Sequence, residues 1–174
     1  MPNIIKMEDA AHPGAMKADI IAGYIGGSKA THIWTDAEWA RFAGTKKLPI
    51  YVSSEALGGN GNGVNDGFDC MRKLYSLGVP KQPVALDMET RVDAAYVTGF
   101  NRVLSWAGYL VWVYGSKDFV FRNPACHGYW VADFTGFPHM VDHADVRATQ
   151  YETSTGVDLS EVKLWQYIHR IRWQ

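Results

Sequence analysis

Short apolar runs alternate with segments whose apolar residues recur every three or four positions, through the first two-thirds of the chain. The short runs predict strands over residues 4–7, 19–25, 48–52, 83–89 and 108–115. Helical spacing predicts helices over residues 35–44, 65–77 and 93–107. Alternation of strands and helices in this order predicts a parallel sheet.

Local signals sharpen the helix boundaries. Thr35 and Glu38 have the spacing of a capping box, and Asn65 is the expected cap of the second helix. That helix is expected to pack through an apolar stripe of Phe68, Met71, Leu74 and Tyr75. Residues 53–63 contain four glycines and two asparagines. They predict a flexible loop, either a mobile rim over a cleft or a plain connector.

The rhythm changes in the last third. Strand-like runs follow closely at residues 127–134, 146–151 and 156–159, and residues 161–171 predict a final helix. Eight strands with so little room for late helices predict an α/β fold, a compressed TIM-like (β/α) barrel from which several late helices are missing. No repeat or linker interrupts the chain, so residues 1–174 are expected to form one domain.

Two carboxylates end the fourth predicted strand. Asp87 and Glu89 are two residues apart, so on a strand they would project to the same side. Acids at the end of an apolar strand cost free energy unless water, hydrogen bonds or a substrate compensates them. The pair therefore marks either a functional site or a strand that simply ends at the surface.

Barrels of the TIM type place their active site at the C-terminal ends of the strands. That rule predicts one acidic mouth formed by Asp9, Asp87, Glu89, Tyr114, Asp133, Gln150, Tyr151 and Asp158. Two of these residues have structural alternatives, since Asp9 could be a turn residue and Asp158 could cap the final helix.

Composition limits the classes of molecule that the protein is expected to bind. A net charge of -1 argues against nucleic acid, because phosphate binding normally requires a basic excess. Seven tryptophans and nine tyrosines suit a core, and they also suit stacking against a sugar. The N-terminus lacks the apolar run of a signal peptide and no stretch reaches transmembrane length. We therefore expect a soluble protein made in the cytoplasm, without a membrane partner.

Metal and disulfide chemistry are not expected. Cys70 and Cys126 imply no disulfide framework, and two thiols without further ligands do not make a structural zinc site. His139 and His143 have the spacing of a helical metal pair, but no third ligand is evident nearby. No metal and no cofactor are therefore expected.

The motifs at the strand ends resemble glycoside hydrolase family 25, the phage and bacterial muramidases. Residues 86–89 resemble the Asp-x-Glu strand end of that family, residues 128–133 resemble its Trp-x-Ala strand, and residues 148–151 with 156–159 resemble its closing pattern. Asp9 matches the first-strand aspartate, although the muramidase Lys-Ala-Thr-Glu-Gly of the second strand is absent. Residues 23–27 and Trp34 are more similar to a shorter glycoside-hydrolase-like subgroup of actinobacteria and their phages.

The resemblance implies hydrolysis of β-1,4 glycosidic bonds in peptidoglycan. Glu89 would be the general acid, Asp87 would stabilise the cationic transition state or orient the N-acetyl group, and Asp9 and Asp158 would complete the cluster. The implied substrate-binding residues are Tyr114, Trp130, Asp133, Gln150 and Tyr151.

The implied protein is a monomer that acts at the cell wall after release or as part of a phage particle. Two alternatives remain. One is a catalytically silent barrel that binds cell-wall glycan or serves as a structural module of a phage particle. The other, weaker one is an amidase or metal-dependent hydrolase.

Overall fold

A closed barrel of eight strands forms the body of the protein. The computed structural model describes residues 4–28, 30–53, 58–89, 91–154 and 156–163. The strands are β1 (Ile4–Asp9), β2 (Ile20–Gly27), β3 (Lys46–Val52), β4 (Pro83–Asp87), β5 (Leu110–Ser116), β6 (Gly128–Ala132), β7 (Val146–Ser154) and β8 (Val157–Lys163). They follow one another around the barrel in chain order. This confirms the predicted compressed TIM-like barrel.

The helices are unevenly distributed along the chain. They are α1 (Asp36–Ala40), α2 (Gly59–Ser76), α3 (Ala94–Trp106) and α4 (Lys117–Val120), with a 3₁₀ turn at Ala30–His32. Between β6 and β8 the described residues contain no helix, as the sequence predicted. No helix of the described part of the chain is both long enough and apolar enough to span a membrane.

Strand β8 runs against the direction of the others. Neighbouring strands from β1 to β7 are parallel, whereas β8 is antiparallel to both β7 and β1. The reversal follows from the short β7–β8 connection, because a parallel crossover needs a dozen or more residues. The predicted helix over residues 161–171 is wrong at its start, since residues 161–163 belong to β8. The rest of that range lies outside the described residues.

Strand alternation divides the core into two layers. Apolar residues of one parity fill the barrel, among them Met7, Ile20, Ala22, Leu48, Ile50, Ala85, Trp112 and Ala148. Residues of the other parity, such as Val84 and Leu86, face outward and pack with Phe100 and Leu104 of α3. Because successive side chains on a strand point to opposite faces, the inner layer also determines which polar residues end up inside the mouth.

Side-chain caps begin two of the helices, and one of these caps was predicted from the sequence. The Thr35 backbone nitrogen donates to Glu38 Oε2 at 2.8 Å, and the Glu38 nitrogen donates to Thr35 Oγ1 at 3.2 Å. This confirms the capping box at the start of α1. Asp93 caps α3 and accepts from the Tyr96 nitrogen at 2.9 Å.

Helix α2 begins at Gly59, well before the predicted cap at Asn65. The prediction of a loop through residue 63 is therefore wrong over residues 59–63. The expected stripe is also partly wrong, because Phe68 and Tyr75 are 41% and 55% exposed. The buried side of α2 is formed instead by Gly63, Gly67, Cys70 and Leu74.

Close contact between α2 and α3 explains the helical glycines. A Cβ atom added to Gly63 would lie 2.0 Å from the Tyr96 carbonyl oxygen, and one added to Gly99 would lie 2.3 Å from the Asn60 carbonyl oxygen. Both distances are shorter than any tolerated contact. The packing gained by this close approach offsets the poor helix propensity of glycine, which costs about 1 kcal/mol per residue against alanine.

We expect Gly63→Ala to lower the free energy of unfolding by about 1–3 kcal/mol, because the new methyl group would push α3 away. Gly61→Ala is the matched control in the same helix, since nothing lies within 4 Å of its added Cβ. It should leave stability unchanged or raise it by up to about 1 kcal/mol. Urea denaturation of both variants measures the difference, and equal effects would contradict the close contact.

Candidate active site

Three aspartates point into the same end of the barrel from three strands. Asp9 is the last residue of β1, and Asp87 is the last residue of β4. Asp158 lies near the start of β8, and because β8 is antiparallel, it is the register partner of Asp9. Asp9 and Asp87 are only 3% and 2% exposed. The alternatives of a turn residue for Asp9 and a helix cap for Asp158 are therefore wrong.

Glu89 joins this group from a turn rather than from a strand. Strand β4 ends at Asp87, so the expectation that the two acids project from one strand face is wrong. Instead the Glu89 backbone nitrogen donates to Asp87 Oδ1 at 3.3 Å. The Glu89 side chain is exposed, yet its charge acts on both Asp9 and Asp158. The mouth thus combines one exposed and three more enclosed carboxyl groups.

Burial and neighbouring negative charge both act on the carboxyl group of Asp9. Burial raises its pKa well above the usual range, and the charges of Asp158, Asp87 and Glu89 raise it further. Its Oδ1 atom has no hydrogen-bond partner among the residues that the structure describes. Asp9 therefore keeps its proton at pH values at which an exposed aspartate has lost it.

A chain of hydrogen bonds orients Asp158. The Tyr114 hydroxyl donates to Gln150 Oε1, and the Gln150 amide in turn donates to the Asp158 carboxylate, which also accepts from Thr153. Burial and the charge of Glu89 raise the pKa of Asp158, while these two hydrogen bonds oppose the rise. Tyr114 and Gln150 thus lie at the mouth, where the sequence placed them.

Tyr24 is a mouth residue that the sequence analysis missed. It lies on β2 with the same parity as Ile20 and Ala22, and it packs against the inner apolar cluster. Burial raises the pKa of its hydroxyl, and the charges of Asp9, Asp87, Glu89 and Asp158 add to this effect. Strand alternation from Ile20 was the signal that could have identified it.

Trp130 does not lie where a sugar could stack on it. Its side chain is 1% exposed and packs inside the barrel, 4.5 Å from the Tyr114 ring between centroids. Its Nε1 atom donates to Ser160 Oγ at 3.1 Å. Trp130 was expected to bind the substrate by stacking or by a hydrogen bond. Neither fits this position, because inward parity on β6 places the ring in the core and Nε1 already donates to Ser160.

Tyr151 also lies away from the mouth. Gln150 points inward, so its neighbour Tyr151 points outward, where it lines a small outer cavity with Lys6, Glu8 and Leu159. Burial raises the pKa of Tyr151, and nearby charges raise it further. Those charges belong to Glu152, Glu161 and Glu8, none of which lies at the mouth. The assignment of Tyr151 to the substrate site is therefore corrected.

Asp133 lies at the rim, where Lys117 and His139 contact its carboxylate. Its Oδ2 atom is 3.6 Å from Lys117 Nζ and 3.2 Å from His139 Nε2, and its backbone nitrogen donates to the Gln150 carbonyl at 2.9 Å. His143 instead stacks on Phe121 at 4.7 Å between ring centroids. Within the described ranges no group of three or more His, Cys, Asp or Glu could hold a metal ion.

Carboxyl groups in different environments at one mouth suit acid–base chemistry. An exposed acid can give a proton to a substrate, while enclosed acids with raised pKa values stay protonated or stabilise positive charge. A pair of carboxyl groups with separate roles is what hydrolysis of a glycosidic bond requires. A TIM-like barrel with several acids at its strand ends is therefore chemically equipped as a glycosidase would be.

Comparison with solved structures finds other proteins with a similar barrel fold. No protein-family model and no curated protein sequence matches the chain. The chain is similar to the crystal structure of an uncharacterized B. stearothermophilus protein, with a TM-score of 0.73 and 19% identity over 91% of this chain and 96% of that one.

Two structures from Streptococcus pneumoniae have a similar fold. The modular autolysin LytC from Streptococcus pneumoniae, solved in complex with a synthetic peptidoglycan ligand, gives a TM-score of 0.67 and 16% identity over 91% of this chain. The chain covers 46% of LytC, about half its length. GHIP, a glycosyl hydrolase 25 of Streptococcus pneumoniae, gives a TM-score of 0.62 and 12% identity over 86% of this chain and 80% of that one. The chain thus has a barrel fold similar to that of glycoside hydrolase family 25.

We expect Asp9→Asn to stabilise the protein relative to the wild type increasingly as pH rises above the unfolded pKa of aspartate, about 3.9. Folding raises the pKa of Asp9, so in the wild type stability is lost as pH rises from the unfolded value of about 3.9 through the folded one. Asparagine removes that loss. Urea denaturation across this pH range measures it, with the exposed Asp142→Asn as control. A difference from wild type that does not depend on pH would contradict the buried acidic cluster.

Proposed function

We propose that this chain is a glycosidase that hydrolyses β-1,4 bonds of bacterial cell-wall peptidoglycan, as muramidases and endolysins do. The observation that carries the proposal is the convergence of Asp9, Asp87, Glu89 and Asp158 on one mouth. The similarity of the barrel to LytC, which was solved with a peptidoglycan ligand, supports a glycan as the substrate.

Glu89 is the proposed general acid. It is the exposed member of the four, so a glycan in the mouth can reach it, and it would protonate the glycosidic oxygen as the bond breaks. Its backbone nitrogen donates a hydrogen bond to Asp87 Oδ1, so the positions of the two acids are coupled. Asp87 would then stabilise positive charge on the sugar or orient the N-acetyl group.

Asp9 and Asp158 would control the charge of the mouth. A protonated Asp9 relieves repulsion among four neighbouring acids, which leaves negative charge available on the others. Asp158 is oriented by Gln150, whose own amide is fixed by the Tyr114 hydroxyl. Tyr114 and Gln150 therefore act by positioning a carboxylate.

Two finer assignments belong to the same proposal. We place the chain in the shorter glycoside-hydrolase-like subgroup of actinobacteria and phages, on the basis of residues 23–27 and Trp34. Tyr24 supports that placement, because it occupies the mouth at the strand where muramidases carry Lys-Ala-Thr-Glu-Gly. The enzyme would act as a monomer on the cell wall, after release or from a phage particle.

We expect Glu89→Gln to slow the clearing of purified bacterial cell walls by about 10²–10⁴-fold, because glutamine has the shape of the acid but no proton to transfer. Turbidity of a cell-wall suspension measures the rate. Glu161→Gln is the matched control, since it makes the same change on β8 outside the mouth.

Three outcomes are informative. Loss of clearing in Glu89→Gln alone supports the proposed role. Equal clearing by wild type and Glu89→Gln would refute Glu89 as the acid. No clearing by the wild type, combined with sedimentation of the protein with the walls, would favour a glycan-binding barrel without catalysis.

A further inference from the structure

We propose that Tyr24 contacts the bound glycan, donating its hydroxyl hydrogen to an acceptor oxygen of the sugar, and that His32 is the positioning residue that holds the Tyr24 ring. This inference rests on the proposed function, because it concerns the same mouth. It assigns a task to two side chains outside the four carboxyl groups.

The ring of Tyr24 is held by a neighbouring imidazole. The His32 ring lies edge-on to it, 5.8 Å away between centroids and at 66°. The His12 ring, from the loop after β1, is in turn edge-on to His32 at 6.3 Å and 79°. Three aromatic rings therefore extend from the mouth to its rim, and two separate loops meet there.

Trp34 anchors the segment that carries His32, both to β2 and to the residue that follows β1. The Trp34 backbone nitrogen donates to the Tyr24 carbonyl oxygen at 2.9 Å, and Trp34 Nε1 donates to the Ala10 carbonyl oxygen at 3.0 Å. The Trp34 ring also packs directly on Gly23, where an added Cβ would lie 2.6 Å from it. His32 is thus fixed relative to β1 and β2, which makes it a suitable support for the Tyr24 ring.

A neutral hydroxyl is a useful hydrogen-bond donor beside these acids. The proton of Glu89 is assigned to the glycosidic oxygen, and Asp9 is enclosed at 3% exposure. The Tyr114 hydroxyl and the Gln150 amide already donate to Gln150 and Asp158 respectively. An N-acetylated glycan presents amide carbonyl, ring and glycosidic oxygens that can only accept. Tyr24 is half-buried at this mouth, and its raised pKa keeps the phenol protonated as a donor.

Binding of a soluble tetrasaccharide tests the contact. The probe alternates N-acetylglucosamine and N-acetylmuramic acid, and calorimetry measures its affinity for the Glu89→Gln protein, which should not turn it over. Adding Tyr24→Phe should weaken binding by about 2- to 12-fold, the loss expected for one neutral hydrogen bond. Tyr75→Phe, an exposed tyrosine on the last turn of α2, is the matched control and should leave the affinity unchanged.

A double-mutant cycle tests the role of His32. His32→Ala should weaken tetrasaccharide binding when Tyr24 is present and have no further effect in the Tyr24→Phe background. Phenylalanine keeps the ring contact and loses only the hydroxyl, so thermal unfolding of Tyr24→Phe should match that of its parent. In the catalytically competent protein, Tyr24→Phe should raise KM more than it lowers kcat.

Several outcomes would overturn the assignment. They are an unchanged affinity in Tyr24→Phe, fully additive effects of the two substitutions, and no tetrasaccharide binding by the wild type or any variant. The result is separable from that for hydrolysis. A protein that binds the tetrasaccharide through Tyr24 but clears no cell walls would refute the glycosidase proposal and leave the Tyr24 contact standing.

Discussion

Closure of the barrel by β8 is the constraint on which the mouth depends. This strand pairs antiparallel with both β7 and β1, and the β1 register sets Asp158 opposite Asp9. Burial raises the pKa of Asp9, and the charge of Asp158 on the adjacent strand raises it further. The barrel accommodates Asp158 because Gln150 and Thr153 donate hydrogen bonds to it. A cost of this kind is typical of a functional site rather than of a core built for stability.

The same closure gives the two mouth tyrosines different tasks. Tyr114 lies deeper, packs on Trp130 and gives its hydroxyl hydrogen to Gln150. Tyr24 lies beside the rim, where His32 supports its ring. One tyrosine therefore fixes a carboxylate within the protein, while the other is available to a ligand. Their residue type is identical, and only the neighbours that the fold supplies distinguish them.

Similarity of fold at 12% to 19% identity follows from how this barrel is built. The fold needs apolar residues at alternating positions and close helix contacts, which many different sequences can supply. The mouth needs a few acids at defined strand ends. Conserving such an architecture requires few identical residues, so the fold is shared more widely than any activity can be.

The sequence by itself determined the eight strands, the cap of α1 and the presence of Asp9, Asp87 and Asp158 at strand ends. These features are local, since alternation and capping are decided by residues close together in the chain. The tertiary structure decided the direction of β8. It also ended β4 at Asp87, so that Glu89, the last residue of the predicted strand, lies in a turn.

Tertiary packing also decided features for which local signals were misleading. The α2 residues 59–63 are helical because α3 approaches them closely, although glycine and asparagine favour a loop. The structure excludes Trp130 and Tyr151 from the mouth and adds Tyr24 to it. The reason is that closure of the sheet decides which alternate residues of each strand face the mouth. Alternation along a strand can be deduced from sequence, whereas long-range pairing determines which face is the inner one.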